Sequence, residues 1–489
     1  MFTNGRALSI LCFAFTVGAT TQTFLGLGTP NRGTSRQSFA QSFTAPYDEG
    51  LFMPVEELSA LSEAQFTTLG HPVFPNYSVR IKKSSNFCDG TVNAYTRYID
   101  IEARHLFFYF FESRDDPATD DVIFWTNGGP GGSSSLGVYV ELGPCRVVND
   151  TSTPIGVGFS YADYGETVST TEEASKDIAA FVAIFFENFT QFKGRAFHMA
   201  GESYGGRYVP VFAAAVYDQN AMLTAAGMTP INLQSIMIGN GITDFYTMSA
   251  AYVDMQCTGA SVFPVQSISS CNRMKQALPR CQKWLTESCI DQFDLMSCEA
   301  AAKFCETEIS GPFLATGVNP YDLSKTCDGP IQETLCYPIT LSMAKYLDQP
   351  SVRHKLGVDP AVTGDYSAYN SQVGQAFSLA MDSYHATYPH VAALLERGVR
   401  ALIYVGSYDW ICNWLGNQAW TLNMEWSGKE AFWQQPFESW LVEGKVAGKT
   451  RSANGLTFAT VDGAGHMVPR DKPKEALTMV QRWLAGSGL

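Results

Sequence analysis

The chain has 489 residues, of which 45% are hydrophobic and 16% are charged. This composition supplies enough apolar side chains for a large core and too few charges for a disordered chain, which predicts a globular protein. Lys and Arg total 33 against 47 Asp and Glu, a net charge of −14. Because this charge repels phosphate backbones and anionic lipids, we do not expect a nucleic-acid partner.

Residues 1–19 have the pattern of a secretory signal peptide. Arg6 precedes an apolar run over residues 7–17, and the small residues Gly18 and Ala19 follow it. The run is too short to cross a bilayer, and no later stretch predicts a transmembrane helix. A transit peptide is the alternative, since the first 47 residues contain no Asp or Glu, although transit peptides are amphipathic rather than apolar.

Residues 20–85 are interpreted as a propeptide. Residues 20–46 are rich in Gly, Ser, Thr, Gln and Pro, and a short helix is predicted over residues 55–69. Lys82 and Lys83 are followed by polar residues just before Cys88, where a propeptide could be cut. Residues 86–489 are assigned to a single domain.

Strand-like and helix-like segments alternate through that domain, which predicts an α/β fold with a mostly parallel central sheet. A Cys-rich, mostly helical stretch at about 241–369 interrupts the alternation and is interpreted as an insertion between two core strands. The predicted strands are 105–111, 121–126, 195–200, 231–238, 399–406 and 455–463. The predicted helices are 172–189, 414–422 and 474–484.

Cysteine usage indicates an oxidising compartment. Eleven cysteines follow Cys12, seven of them between Cys257 and Cys327, and no CxxC pair occurs. This spacing matches no zinc pattern and favours disulfides, with at least one thiol left over. Sequons begin at Asn76, Asn149 and Asn188 and predict a glycoprotein. We expect neither a metal ion nor a cofactor.

The sharpest local motif is GESYG, residues 201–205, directly after a predicted strand. Gly-x-Ser-x-Gly between a strand and a helix is typical of a nucleophile elbow, which would expose Ser203 above the sheet. The pattern is common by chance, and an ordinary turn is the alternative. An elbow needs an acid and then a histidine later in the chain. Asp409 and His466 each follow a predicted strand in that order, although each alone would be an ordinary loop residue.

A second glycine-rich segment, NGGPGG at 127–132, follows the strand at 121–126. Its glycines would let backbone N–H groups approach an oxyanion, and the residue after the nucleophile, Tyr204, would supply another. A tight turn without a site is the alternative. A phosphate-binding loop is excluded because no Lys-Ser or Lys-Thr follows.

The ordered motifs WTNGGPGGSS, ELGP, GVGFSY, GESYGGRYVP, IGNGITD, ICNWLGN and GHMVP resemble those of the serine carboxypeptidases, in particular the fungal vacuolar carboxypeptidase Y type. The resemblance runs from about Cys88 to Leu484. It implies an α/β-hydrolase fold whose disulfide-rich helical cap is the insertion at 241–369. It also implies Ser203, Asp409 and His466 as the catalytic triad.

The resemblance further implies an oxyanion hole at Gly129 and Tyr204. The residues implied to bind a substrate's terminal carboxylate are Trp125, Asn127, Gly128, Glu141 and Glu202. A carboxylate repels another unless one of them carries a proton, so such a site should work best in acid. A helix N-terminal residue is the alternative interpretation of Glu202.

The family usually carries a disulfide between the positions of Gly132 and Tyr369, and neither residue is Cys here. By resemblance the remaining pairs are Cys257 with Cys271, Cys281 with Cys305, Cys289 with Cys298, and Cys327 with Cys336. Cys412 is then free beside Asp409. Cys88 and Cys145 have no counterparts in the yeast vacuolar enzyme of this family, and we expect them to pair with each other.

The chain is also shorter than the family between residues 148 and 154. About twenty residues that form the strand next to 121–126 are missing there, which would leave unpaired backbone groups in the middle of the sheet. Either residues 146–148 form a short replacement strand, or the chain is a splice or gene-model variant that folds poorly.

The predicted function is therefore a serine carboxypeptidase that removes C-terminal residues from peptides and proteins at acidic pH through an acyl-enzyme. The alternatives are an acyltransferase on the same scaffold and an inactive variant that lacks a core strand. The expected compartment is the secretory pathway, either the vacuole or the exterior, and the sequence does not define an oligomeric state.

Overall fold

The structure is a computed structural model. It describes residues 54–84, 87, 90–144, 158–163, 166 and 168–489, together with the backbone of Ser9–Phe13. Two of the predicted features, the pairing of Cys88 with Cys145 and a strand over residues 146–148, lie outside these residues.

A mixed sheet of 13 strands forms the centre of the described structure. The strands of this sheet, in chain order, are β1 (Ser9–Phe13), β2 (Thr67–Leu69), β3 (Tyr77–Lys83), β4 (Ala94–Ile101), β5 (Arg104–Phe111), β6 (Val122–Thr126), β7 (Tyr161–Ala162), β8 (Phe197–Ser203), β9 (Leu233–Gly241), β12 (Arg400–Gly406), β13 (Glu438–Val442), β14 (Lys445–Ala453) and β15 (Leu456–Val461). A separate hairpin contains β10 (Val318–Asn319) and β11 (Asp322–Thr326).

The strand order is β13-β14-β15-β12-β9-β8-β6-β1-β5-β4-β3-β2, with β7 paired to β5. Strands β1, β6, β8, β9, β12 and β15 are parallel to their neighbours among these six. The wings on both sides are antiparallel. In the parallel centre all carboxyl ends lie at one edge, which is where ligand sites form in open α/β sheets.

Helices cover both faces of the sheet and build the insertion. They are α1 (Thr171–Asn188), α2 (Gly205–Asp218), α3 (Asn220–Ala225), α4 (Phe245–Cys257), α5 (Ile268–Leu285), α6 (Leu295–Cys305), α7 (Gly311–Leu314), α8 (Ile331–Thr334), α9 (Ile339–Leu347), α10 (Pro350–Leu356), α11 (Ser371–Leu379), α12 (Tyr388–Leu395), α13 (Trp414–Asn423), α14 (Lys429–Gln434), α15 (Val468–Asp471) and α16 (Pro473–Leu484).

The core consists of one apolar cluster on each face of the sheet. Successive strand residues point to opposite faces, and β5 follows this rule: Phe108 and Phe110 belong to one cluster, and Phe107 and Tyr109 to the other. Because both faces are buried, β5 is apolar over most of its length, as expected for a central strand. A third cluster lies inside the insertion.

The predicted strands and helices of the α/β core are all present, with ends that differ by a few residues. The predicted helix at 55–69 is wrong. That stretch contains a single 3₁₀ turn at Leu58–Ala60 and the strand β2, which pairs with β3. The β-branched residues Thr67 and Thr68 favour the strand, and pairing with β3 outweighs the helical spacing of the apolar residues before them.

Helices α4–α11 and the hairpin β10–β11 lie between β9 and β12 and form the cap. The four disulfide pairs expected here from the family resemblance are confirmed, and Cys412 is a buried free cysteine. Three of these disulfides lie within α4–α6 and the short turns that follow them. They therefore fasten the outer part of the cap rather than its junction with the sheet.

The predicted propeptide, residues 20–85, includes β2 and β3. Strand β3 pairs with β4 from Tyr77 opposite Ile101 to Lys83 opposite Tyr95. Arg80 of β3 also makes ion pairs with Asp100 and Asp359. Cleavage at residue 85 would detach both strands from the edge of the sheet, so the position of the cleavage site stays a prediction.

Two of the three predicted glycosylation sites lie in described residues. Asn76 is exposed. Asn188 is 2% exposed, and its side-chain amide donates hydrogen bonds to the carbonyls of Gly70 and Ile184. A glycan on Asn188 is incompatible with this packing, while Asn76 has room for one.

The position next to β6 is occupied by β1. Ser9–Phe13 pairs in parallel with Val122–Thr126 and antiparallel with Phe108–Phe111 of β5. This is the place at which the family resemblance predicts the strand that the chain is too short to contain between residues 148 and 154. The same residues are predicted to be a signal peptide, so removal of residues 1–19 would empty this position and leave β5 and β6 each with an unpaired edge.

We expect a chain that begins at residue 20 to be less stable and less soluble than the full chain. Adding a family-like strand of about twenty residues between Val148 and Pro154 should restore the stability of the shortened chain. It should raise that of the full chain less, because there the position is already filled. Thermal unfolding and peptide hydrolysis by all four proteins provide the test. Equal stability and activity of the shortened chain with and without the insertion would contradict the prediction.

Candidate active site

The nucleophile elbow lies where β8 ends and α2 begins. Ser203 has a φ of 63°, a left-handed conformation that is rare for residues other than glycine and typical of this motif. The flanking glycines allow the turn. A Cβ on Gly201 would lie 2.7 Å from Cγ2 of Val209, and one on Gly206 would lie 2.6 Å from the backbone N of Ile242. Glycine at these positions lets α2 pack directly against the sheet.

Asp409 and His466 meet at the same edge of the sheet. Asp409 follows β12, His466 follows β15, and both are buried. His466 Nδ1 lies 2.8 Å from Asp409 Oδ2. The backbone N–H of His466 also donates to the carbonyl of Tyr321 in the cap hairpin, at 2.7 Å. The imidazole is therefore oriented from both the sheet and the cap.

Cys412 connects Ser203 to this pair. Burial, and then the negative charge of Asp409, raise the pKa of its thiol well above the usual value, while a hydrogen bond with Ser203 opposes the rise. Ligand atoms of Asp409, Cys412 and His466 all lie within 4.8 Å of one another. The hydrogen bond between His466 and Asp409 already uses one ligand atom of each of these two residues.

The glycine-rich loop after β6 contacts the elbow directly. A Cβ on Gly128 would lie 2.1 Å from the backbone N of Tyr204 and 2.8 Å from Cβ of Ser203. Gly129 has a φ of 123°, which only glycine adopts readily. The segment therefore passes close enough to Ser203 for backbone N–H groups of both segments to point at one oxygen atom.

Asn127 organises a buried pair of carboxyl groups beside the elbow. Its Oδ1 accepts hydrogen bonds from Trp125 Nε1 at 2.9 Å and from the backbone N of Gly137 at 3.0 Å. Its Nδ2 must then face the acids, and it lies 2.9 Å from Glu141 Oε1 and 3.3 Å from Glu202 Oε1.

The two acids cannot both be ionised at low cost. Burial raises the pKa of Glu141, and burial followed by the charge of Glu141 raises that of Glu202 well above its usual range. The side chains of Glu141 and Glu202 are hydrogen-bonded to each other, and two carboxyl groups in such close contact favour a single shared proton. The site therefore presents both a proton and an amide donor in acid, and becomes increasingly negative as the pH rises.

The structure places all ten predicted site residues, which come from five separate segments, at one edge of the sheet. Sequence reasoning assigned no role to Asn240. This residue is the third of the motif IGNGITD, is fully buried, and donates from Nδ2 to Asp409 Oδ2 at 2.7 Å. Its place at the carboxyl end of β9, the strand next to β8, was the signal that could have identified it.

The two positions at which the family resemblance implies a disulfide are adjacent in this structure. Gly132 and Tyr369 form an isolated antiparallel bridge. On either side, the N–H of Ser133 donates to the carbonyl of Ala368 and that of Asn370 to the carbonyl of Gly131, at 2.9 and 2.8 Å. Backbone hydrogen bonds therefore hold the glycine-rich loop to the segment before α11.

The fold is that of an α/β hydrolase with a nucleophile elbow. The serine carboxypeptidase family model matches residues 87–153 and 151–486, so the chain belongs to the serine carboxypeptidase family and is a serine-type carboxypeptidase. The two matched pieces overlap at 151–153, inside the segment for which the sequence resemblance predicts a missing strand. Neither the acyltransferase nor the inactive variant is supported by these findings.

The chain is 39% identical to carboxypeptidase Y of Candida albicans over 84% of its length and 77% of that protein. It is 35% identical to a vacuolar serine-type carboxypeptidase of Saccharomyces cerevisiae, over 86% of the chain and 85% of that protein. The solved structure of a prohormone-processing carboxypeptidase from Saccharomyces cerevisiae, Kex1, is similar with a TM-score of 0.65 at 22% identity. It covers 88% of this chain and 94% of its own.

The raised pKa values have a consequence for stability. A carboxyl group whose folded-state pKa is raised stabilises the fold below its usual pKa, and this contribution is lost as the pH rises through the folded-state value. We expect Glu202→Gln to have a higher Tm than the wild type at pH 8, by about 1 to 3 °C, and a similar Tm at pH 4. A difference in Tm that is the same at both pH values would contradict the shared proton.

Proposed function

We propose that this carboxypeptidase cleaves C-terminal residues through an acyl-enzyme on Ser203, with Asp409 and His466 completing the triad. The Ser203 hydroxyl attacks the scissile carbonyl carbon while His466 Nε2 takes its proton, because Nδ1 already bonds Asp409. The N–H groups of Gly129 and Tyr204 stabilise the oxyanion. His466 then returns the proton to the leaving amine, and water repeats the sequence on the acyl-enzyme.

The observation that carries the proposal is the buried set Asn127, Glu141 and Glu202 beside the elbow. An endopeptidase gains nothing from a buried proton next to its nucleophile, whereas a carboxypeptidase must hold a free carboxylate there. The amide Nδ2 of Asn127 and the shared acidic proton are both donors suited to that group. Trp125 and Gly137 fix the orientation of the amide.

The same set predicts activity in acid. When the Glu141–Glu202 pair keeps its proton, it donates a hydrogen bond to the substrate carboxylate. When the pair loses this proton, its negative charge repels the substrate carboxylate. We infer that KM for free-acid peptides rises with pH before the triad itself is affected.

In the part of the chain that the structure describes, no helix has the length and apolar character needed to cross a bilayer.

We infer a secretory-pathway location, most specifically the vacuole. The curated relatives include a vacuolar carboxypeptidase, an acidic vacuole suits a site that needs a retained proton, and four disulfides need an oxidising route. The signal peptide at 1–19 and a propeptide ending near residue 85 belong to this proposal.

Ser203→Ala should lower release of C-terminal residues by at least about a hundredfold, because it removes the attacking atom. The matched control is Ser175→Ala on α1, where a buried serine hydroxyl donates to the carbonyl of Glu172. The control should keep full activity. More than a hundredth of wild-type activity in Ser203→Ala, with an unchanged Tm, would rule out Ser203 as the nucleophile.

Amidation of a peptide's C-terminus should lower kcat/KM strongly for the wild type. The same amidation should cost the double variant Glu202→Gln, Asn127→Ala far less, because the groups that bind the carboxylate are gone. Paired peptides that differ only in the terminal acid or amide, assayed at pH 5, provide the measurement. If both enzymes discriminate equally, the carboxylate is bound elsewhere.

A further inference from the structure

One buried asparagine at the end of β9 is unused by the mechanism above. Asn240 is 0% exposed and has a φ of 43°, a left-handed conformation that asparagine tolerates better than most residues. Pairing continues past it, since Ser203 of β8 lies opposite Gly241. The residue therefore stands beside the elbow, with its side chain among the loops that carry Asp409 and His466.

The side-chain amide of Asn240 joins three segments. Its Nδ2 donates to Asp409 Oδ2 at 2.7 Å and more weakly to the carbonyl of Gly465 at 3.4 Å. Its Oδ1 accepts from the backbone N of Gly406 at 3.2 Å. Gly406 ends β12 and Gly465 precedes His466, so one amide contacts both loops of the Asp–His pair. The Gly406 contact also fixes which end of the amide faces the acid.

Asp409 depends on this donor. Its Oδ2 accepts from both Asn240 and His466, while its Oδ1 is buried with no hydrogen-bond partner among the described residues. A buried carboxylate is costly unless hydrogen bonds stabilise its charge. Without Asn240, His466 would be the one remaining side chain among the described residues that is hydrogen-bonded to Asp409.

We propose that Asn240 is a positioning residue for catalysis, which holds the carboxyl group of Asp409 aimed at His466. Because the amide is neutral, it donates a hydrogen bond to the carboxylate without cancelling the charge that the imidazolium needs in the transition state. An Arg or Lys in this place would neutralise that charge. The proposal rests on the proposed triad and adds the residue that positions its acid.

The pH dependence follows with a definite sign. Removing the amide leaves the Asp409 carboxylate with one hydrogen-bond donor fewer, so its charge acts more strongly on the imidazole, and we expect the acid limb of kcat/KM to move to higher pH. The other titratable groups that face the Asp–His pair are Cys412, Glu202, Glu141, Tyr252, Tyr321, Tyr337 and Asp471. They are the same in all variants, so the difference between profiles isolates Asn240.

Two substitutions separate a positioning role from a merely structural one. Asn240→Gly removes the amide but accepts the positive φ. We expect kcat to fall about tenfold to a hundredfold, with the acid limb moved to higher pH. Asn240→Asp keeps the shape and the acceptor for Gly406. While the new carboxyl is protonated it can donate to Asp409, so activity should approach that of the wild type in acid and fall as this carboxyl ionises.

The matched control is Asn220→Asp. Asn220 also donates to and accepts from backbone groups, those of Ile231, but it lies near the opposite end of β9. Its pH profile should match the wild type. The assay uses an ester substrate without a free carboxylate, from pH 4 to pH 8. Binding of a substrate carboxylate by the Glu141–Glu202 pair then does not contribute to the pH profile.

The proposal is overturned if folded Asn240→Gly has the wild-type kcat and acid limb, or if Asn240→Asp follows the wild-type profile across the whole range. Where Asn240→Gly fails to fold, the profile of Asn240→Asp alone decides. If Ser203→Ala remains active the triad itself fails, which distinguishes that failure from loss of the Asn240 role.

Discussion

Buried negative charge at the carboxyl edge of the parallel sheet is the constraint on which the site depends. Glu141, Glu202 and Asp409 are all buried there, and an unpaired buried carboxylate would be destabilising by several kcal/mol. The chain provides hydrogen-bond partners: Asn127 for the glutamates, and Asn240 with His466 for the aspartate. The two asparagine amides are neutral, so they stabilise these charges and leave them available for substrate and transition state.

This arrangement explains why the two asparagines lie where they do. Each follows or ends a central parallel strand, β6 or β9, at the edge where the other site residues meet. Each has its amide orientation fixed by a backbone N–H, from Gly137 or Gly406, that bonds Oδ1. The sheet thereby determines which end of the amide faces the acid, and the electrostatics of the site follow from backbone geometry.

Much of this could be predicted from the sequence because the signals were local. Glycine spacing around Ser203 and at 127–132, together with loops after predicted strands, indicated the residues of the proposed triad and of the proposed oxyanion hole, which the structure brings together. The hairpins β13–β14 and β14–β15 were missed, although Glu443-Gly444 and Asn454-Gly455, all with positive φ, are typical two-residue hairpin turns. The pairing of Ser9–Phe13 with β5 and β6 had no local signal, because it joins segments about a hundred residues apart.

The bridge between Gly132 and Tyr369, with the backbone hydrogen bonds on either side of it, forms a clasp that contains no covalent bond. Its strength therefore does not vary with the thiol–disulfide balance of the compartment, whereas the cap's four disulfides do respond to it. A backbone clasp can also open and close reversibly by local fluctuation. The glycine-rich loop can therefore separate from the segment before α11 without any covalent change, whereas the links within the cap change only when a disulfide is reduced.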